Sequence, residues 1–281
     1  MKIYFTERKD EQGFYTDLAI ERRRADSDIS GVEYKSSECD GGVWECVRIF
    51  SEEGARAVGR PIGNYDTLNT GRMDLLDEDG ILDAAEAVAK KLCERMDTLG
   101  AIPDRILVVG LGNRNLTPDA IGPKAAAYVK PTLHINRFDS DAFNRLECSE
   151  IAILCPGVTA ESGMESGEII GGVCEKTAPN AVIAIDAIAT ASTERLGSTV
   201  QISDTGLFPG SGVGNASCGL TEKSLGAPII SIGVPTVIDA RVFGAKDAML
   251  VLPKDIDEIT SVAARIIGTA INQAFGICPF C

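Results

Sequence analysis

Short, uninterrupted apolar runs alternate with stretches of helical periodicity along most of the chain. This alternation constrains the fold more than any other feature of the sequence. Such runs are typical of strands buried on both faces, because a strand with one solvated face alternates apolar and polar residues. The sequence therefore predicts the α/β class, with a largely parallel, helix-covered sheet. The strands predicted for this sheet are 106–110, 132–136, 151–155, 181–185, 199–202 and 228–232.

The helices follow from apolar spacing. Residues 80–97 repeat apolar side chains at intervals of three and four, which indicates an amphipathic helix. The N-terminal third is less regular, and residues 1 to about 30 are charged and lack a period, so we predict an arm or processed segment rather than core. Further predicted elements are strands at 45–50 and 65–68, a short helix from Ser51, and helices at 124–129, 166–176 and 255–274.

Composition excludes several classes of function. A net charge of −14 argues against a surface that tracks nucleic-acid phosphates, and the one basic cluster, 22–24, is short and flanked by acids. The chain has neither a signal-peptide core nor an 18-residue apolar run, so we expect no membrane partner and a cytoplasmic location. Nine cysteines without a secretion signal are expected to be reduced thiols.

The residues do not predict a metal or a cofactor. Cys278 and Cys281 would need two further metal ligands, so we interpret them as incidental thiols. His134 is the only histidine and falls in the predicted strand 132–136, which excludes a multi-histidine metal site. The glycines at 110 and 112 follow a strand as in a dinucleotide loop, but the third glycine of that motif is missing.

Three aspartates follow predicted strands. Asp119 comes after strand 106–110 through a Gly/Asn loop, Asp186 comes directly after 181–185, and Asp204 follows 199–202. Ligand sites in open α/β sheets lie beyond the carboxyl ends of the strands. Two such strand ends can bring Asp119 and Asp186 together although they are 67 positions apart in the sequence.

A pair of carboxyl groups can catalyse hydrolysis when their surroundings separate their pKa values. Thr117 and Pro118 predict a helix start that would favour the Asp119 anion, whereas the apolar neighbours of Asp186 would favour its neutral form. Asp119 is then the base that activates water and Asp186 the general acid. The alternative is structural: Asp119 caps a helix and Asp186 binds backbone amides.

Several longer blocks resemble the germination protease family of spore-forming bacteria, in the family's order. The GLGN block is also similar to the strand-loop of hydrogenase maturation endopeptidases, whose fold, of the phosphorylase/hydrolase-like type, the resemblance implies here. Departures occur at residues 66–80, which match in part, and in the shorter tail after Asp239. The matching blocks are 15–21, 109–123, 156–158, 182–189, 201–206, 209–215 and 232–239.

The resemblance implies an atypical aspartic endopeptidase that starts the degradation of small acid-soluble spore proteins when a spore germinates. The family's two essential aspartates match Asp119 and Asp186. The resemblance further implies a homotetramer in the spore core or forespore, without cofactor or metal. Residues expected to support the site loops are Gly112, Asn113, Asp204 and Gly212.

The family is made as a zymogen that removes its own N-terminal segment. Thr16-Asp17-Leu18-Ala19 matches the acidic-apolar sequence that the family cuts, so the resemblance implies cleavage between Asp17 and Leu18. Residues 1–17 would then be a propeptide and 18–281 a single peptidase domain. Two alternatives stay open: a metal-dependent maturation endopeptidase, and a binding protein that has lost catalysis.

Overall fold

A mixed sheet forms the centre of the computed structural model, which describes residues 14–22, 29–207, 219–246 and 249–276. Within these residues nine strands pair in one sheet. They are β1 Val32–Cys39, β2 Gly42–Ile49, β3 Gly63–Asn69, β4 Arg105–Gly110, β5 Glu150–Leu154, β6 Ala181–Thr190, β7 Thr199–Ser203, β8 Ile229–Asp239 and β9 Leu250–Val251.

Helices cover this sheet, as the alternation of apolar runs and helical stretches predicts. The three longest are α3, α8 and α10, and each agrees with its predicted bounds to within two residues. The helices are α1 Ala19–Arg22, α2 Glu52–Val58, α3 Glu78–Thr98, α4 Ile121–Tyr128, α5 Leu133–Phe138, α6 Ser140–Asn144, α7 Thr159–Ser162, α8 Ser166–Thr177, α9 Glu222–Leu225 and α10 Ile256–Ala274.

The order of the strands is β1-β2-β3-β7-β8-β6-β4-β5, with β9 paired to β8. The predicted α/β class is confirmed. Strand direction is mixed: β5, β4, β6 and β8 are parallel, whereas β1, β2, β3 and β7 join them through antiparallel pairs. Because β7 runs against β8, its carboxyl end lies at the opposite edge of the sheet from those of β4 and β6.

Strand β4 shows why the central runs are continuously apolar. Ile106 and Val108 pack against α3, α4 and α10 on one face of the sheet. Leu107 and Val109 pack against α8 and α9 on the other face. Each residue of the strand is therefore removed from water, and the carboxyl end of β4 is held rigidly between two helical layers.

Two local predictions are wrong. Residues 132–136 are not a strand, because Thr132 pairs by itself with the edge of β5 and the chain then turns into α5, leaving His134 exposed. The Thr132 hydroxyl accepts a hydrogen bond of 2.7 Å from the Ile151 N–H, in place of a strand–strand hydrogen bond. Residues 16–20 are buried rather than part of a solvated arm, and Leu18 is fully buried in an apolar cluster with β2, β3 and α2.

Candidate active site

Asp119 is held by the loop that leaves β4. Its Oδ2 accepts a hydrogen bond of 2.8 Å from the backbone N–H of Asn113. The predicted helix start at Thr117 is wrong: Thr117–Asp119 is one 3₁₀ turn without a side-chain cap, and α4 begins at Ile121. The turn is closed by backbone bonds, including that from the Asp119 N–H to the Leu116 carbonyl at 2.8 Å. Asp119 therefore precedes α4 rather than lying in its first turn.

Two glycines allow the chain to approach closely enough for this geometry. Gly112 has φ of +103°, and a Cβ there would lie 2.0 Å from the Asp119 carbonyl oxygen. A Cβ on Gly122 would lie 2.2 Å from the Leu111 carbonyl oxygen and 2.5 Å from that of Ile185. The start of α4 thus packs backbone to backbone against β4 and β6, which brings Asp119 to β6.

Asp186 lies within β6, not after it, because the strand continues to Thr190 through an irregularity at Ile188 and Ala189. Its Oδ1 accepts from the Ala187 N–H at 2.9 Å. Burial raises the pKa of Asp186 well above its ordinary value, and the negative charge of Asp119 raises it further, against the lowering effect of the Ala187 hydrogen bond. The structure thus brings the two predicted carboxyl groups together.

Burial also raises the pKa of Asp119, opposed by the hydrogen bond from the Asn113 N–H. The expectation that Asp119 is favoured as an anion by a helix start is therefore wrong, since no helix starts there and desolvation dominates. The larger increase in pKa belongs to Asp186. These directions favour a proton on Asp186 over one on Asp119, and the assignment of Asp186 as the acid stays a prediction.

The raised pKa of Asp186 predicts how the free energy of unfolding depends on pH. The unfolded chain releases this proton near pH 4, whereas the folded chain retains it, so the free energy of unfolding falls as pH rises above about 4, by about 1.4 kcal/mol per unit of pKa difference. Asp186→Asn removes this loss and can still accept from Ala187. We expect the variant to be more stable than wild type at pH 7, with the difference shrinking towards pH 4. Urea unfolding at pH 4 and pH 7 measures this difference in the free energy of unfolding. A wild type that is at least as stable as the variant at pH 7 would contradict the prediction.

Asp204 does not belong to this site. Its carboxyl group accepts from the Asn64 backbone N–H at 2.7 Å and from the Asn64 side-chain amide at 2.5 Å. The prediction fails because β7 is antiparallel to β8, which places Asp204 at the opposite edge of the sheet. Gly112 and Asn113, by contrast, lie directly against Asp119. Gly212, Cys278 and Cys281 lie outside the described residues.

The segment 14–22 lies along the carboxyl-terminal part of β6. The Asp17 N–H donates to the Ala189 carbonyl at 2.9 Å, and the Ala189 N–H donates to Asp17 Oδ2 at 3.0 Å. Arg60 Nη2 lies 3.6 Å from Asp17 Oδ1 and donates to the Thr16 carbonyl at 3.3 Å. The charge of Asp17 contributes to the raised pKa of Asp186, so the segment lies near the carboxyl pair.

Further along the segment, Glu21 is also held. It accepts from the Thr190 hydroxyl and from the Ala191 N–H, the latter at 2.8 Å, and Arg195 Nε lies 4.0 Å away. Local sequence patterns do not identify Arg60, Arg195 or Gln201 as neighbours of this segment. The available signal for Gln201 is its place between Val200 and Ile202 on β7, where it is buried.

The described part of the chain offers no group of three His, Cys, Asp or Glu side chains arranged to hold a metal ion. Within the same residues, no helix is both long and apolar enough to cross a bilayer. The groups that the described residues bring to the site are two carboxyl groups and a bound stretch of the chain itself.

Comparison with solved structures adds a distant likeness. The NiFe hydrogenase maturation protease HycI from Thermococcus kodakarensis KOD1 matches with a TM-score of 0.36 and 20% identity, over 65% of this chain and 99% of that one. Similarity at this level is too low to carry an argument about either fold or activity.

Comparison with known families and proteins is decisive. The Peptidase_A25 model, described as germination protease, matches residues 11–249. The germination protease of Caldanaerobacter subterraneus subsp. tengcongensis is 41% identical over 253 residues, 89% of this chain and 76% of that protein. That of Clostridium perfringens strain ATCC 13124 is 42% identical, covering 86% and 76%. That of Bacillus cytotoxicus is 39% identical, covering 80% and 63%. The chain therefore belongs to the germination protease family, a family of peptidases.

Proposed function

We propose that the protein is an aspartic-type endopeptidase that degrades small acid-soluble spore proteins during germination and is made as a zymogen. The observation that carries this proposal is the seating of Asp17 on β6, three residues beyond Asp186, by both its backbone and its carboxyl group. Asp17 is also the residue after which the sequence predicts cleavage. In this proposal residues 1–17 are the propeptide and residues 18–281 the peptidase domain.

The two carboxyl groups can divide the work of hydrolysis. Asp119, with the lower proton affinity, accepts a proton from water as the water oxygen bonds to the Asp17 carbonyl carbon. Asp186, with the higher proton affinity, donates its proton to the Leu18 nitrogen as the C–N bond breaks. The products are a carboxylic acid at Asp17, which releases its proton to solvent, and an amine at Leu18. The proton on Asp119 then returns to Asp186 through solvent.

The contacts of the segment also indicate which substrates the site accepts. Arg60 is buried beside the Asp17 carboxyl group, so it favours an acid before the scissile bond. The Leu18 side chain occupies the apolar cluster that includes Val47 and Tyr65, so that cluster favours an apolar residue after the bond. These two preferences together match the acidic-apolar sequence that the family resemblance implies for spore-protein substrates.

The test is cleavage of purified small acid-soluble spore proteins by the full chain after incubation, followed by mass spectrometry of the fragments. We expect cuts between an acidic and an apolar residue. Addition of a chelator separates this function from the metal-dependent alternative. Activity that disappears with the chelator and returns with nickel would contradict the proposal, as would spore proteins that stay intact with a self-processed enzyme.

A further inference from the structure

Gln201 holds the bond that the proposed function assigns to self-cleavage. Its Nε2 donates to the Asp17 carbonyl oxygen at 3.3 Å. Its Oε1 accepts from the Ala19 N–H at 3.0 Å. The two ends of one side-chain amide therefore bracket Leu18, and they fix the carbonyl group of the Asp17–Leu18 peptide bond.

The sheet places Gln201 and Asp186 on the two strands that flank β8. Gln201 on β7 pairs with Gly233 on β8, and Gly233 pairs with Asp186 on β6. The three residues share one register, so the Cα atoms of Gln201 and Asp186 are roughly 10 Å apart, two strand spacings. Residues at one register in adjacent strands point to the same face, so Gln201 and Asp186 share one face of the sheet. Ile188 covers Gly233 between them, since a Cβ on Gly233 would lie 2.8 Å from Ile188 Cδ1. The charge of Asp17 contributes to the raised pKa of Asp186, so the segment that Gln201 holds lies near that carboxyl group.

The surroundings of Gln201 suit a donor to a developing charge. The residue is buried, with 8% of its surface exposed. A hydrogen bond to a charged oxygen is stronger in such surroundings than in water. The amide is also oriented in advance, because its Oε1 is fixed by the Ala19 N–H. A donor that is already aimed at the carbonyl oxygen pays no reorganisation cost during the reaction.

We propose that Gln201 is a catalytic residue that stabilises the oxyanion formed on the Asp17 carbonyl oxygen. This inference rests on the proposed function and names a further group of the same site. When the water oxygen adds to the carbonyl carbon, the C=O electron pair moves to the oxygen, and the Gln201 Nε2–H bond to that oxygen strengthens. When the C–N bond breaks, the pair returns to re-form C=O. When a spore-protein substrate binds in the same way, the same donor stabilises the oxyanion formed on its scissile carbonyl.

Two variants separate catalysis from simple binding of the segment. Gln201→Met keeps the length of the side chain but has no donor. Gln201→Glu keeps the acceptor for the Ala19 N–H, and it regains a donor only when its carboxyl group is protonated. Gln273→Met is the matched control, since Gln273 is an exposed glutamine on α10. Thermal unfolding of each variant establishes that it is folded.

The measurement is the rate constant for release of residues 1–17, followed by intact mass from pH 4 to 8, with hydrogen–deuterium exchange of residues 14–22. Loss of one oxyanion donor lowers the rate by about 10²–10³-fold. We expect that loss for Gln201→Met, and for Gln201→Glu at neutral pH. As the pH falls, the rate of Gln201→Glu relative to wild type should rise, with exchange of the segment unchanged. Gln273→Met should match wild type.

Two results would overturn the inference while wild type processes itself. One is self-processing of Gln201→Met at the wild-type rate. The other is a constant ratio of Gln201→Glu to wild type at every pH, which indicates that Gln201 only seats the segment. A wild-type chain that never processes itself contradicts the proposed function instead.

Discussion

Asp186→Asn is expected to lower the rates of self-processing and of substrate cleavage by about 10²–10⁴-fold while the protein stays folded, because general acid catalysis contributes a factor of that size. The asparagine retains the acceptor for the Ala187 N–H but has no proton to give to the leaving nitrogen. Asp119→Asn should cause a loss of similar size by removing the base. Since the two groups act as a unit, the double variant should be little worse than either single variant.

Asp204→Asn is the matched control for both variants. It makes the same chemical change on an aspartate that also follows a strand, and its side chain can still accept from Asn64. Because Asp204 lies at the opposite edge of the sheet, its replacement should leave the rates within about threefold of wild type, as expected of a group that does not touch the reacting atoms. Cleavage rates come from intact mass, and circular dichroism checks the fold. Full activity of Asp119→Asn or Asp186→Asn contradicts the assignment of the pair.

Gly112→Ala should cause the other large loss of activity, by about 10²-fold, without removing any reactive group. The new Cβ would lie 2.0 Å from the Asp119 carbonyl oxygen and 3.0 Å from its Oδ1. The clash is with backbone, so the turn that carries Asp119 must move. A displacement of about 1 Å at a catalytic group is enough for a loss of this size. Initial rates on a peptide with an acidic-apolar cleavage sequence provide the measurement.

Gly100→Ala is the control for backbone strain. Gly100 also has positive φ, at +62°, but a Cβ there meets no atom within 4 Å. Its replacement should cost about 1 kcal/mol of stability, as for an L-residue placed in the left-handed region, and leave the rates unchanged. If Gly112→Ala and Gly100→Ala lose activity equally, the proposed displacement of Asp119 is wrong.

The sequence predicts most of the elements that carry the site, because their apolar patterns report burial directly. Strand β4 is apolar at each buried position, and helix α10 has an apolar face that packs on it. Asp119 and Asp186 were found because each follows a long apolar run. Both runs belong to parallel strands, whose carboxyl ends share one edge. At β4 and β6, the rule that sites lie beyond strand ends therefore agrees with the tertiary arrangement.

Where strand direction matters, local pattern is not sufficient. Strand β7 alternates polar and apolar residues, unlike the apolar runs of β4 and β6. It is antiparallel to β8, so Asp204 lies away from the carboxyl pair, whereas Gln201 contacts the segment 14–22. Alternation is typical of antiparallel strands, but a five-residue pattern does not specify which distant strands β7 pairs with. The same limit applies to Thr132, whose pairing with β5 depends on a contact across 19 positions.

The burial of residues 16–20 could not be predicted from composition, because the segment lacks a period of its own. Its order comes from partners elsewhere: Ala189 on β6, Gln201 on β7 and Arg60 after α2. The position of such a segment is set by the residues that bind it, and its own sequence need not show a helical or strand period. This is the behaviour expected of a bound substrate.

Self-cleavage between Asp17 and Leu18 is tested by incubation of the full-length protein over a mildly acidic to neutral pH range, with mapping of the N-terminus of each fragment. We expect one new N-terminus at Leu18, at a rate independent of protein concentration if each chain cuts the segment bound to its own β6. An intact chain at every pH, or a new N-terminus at another position, would contradict it.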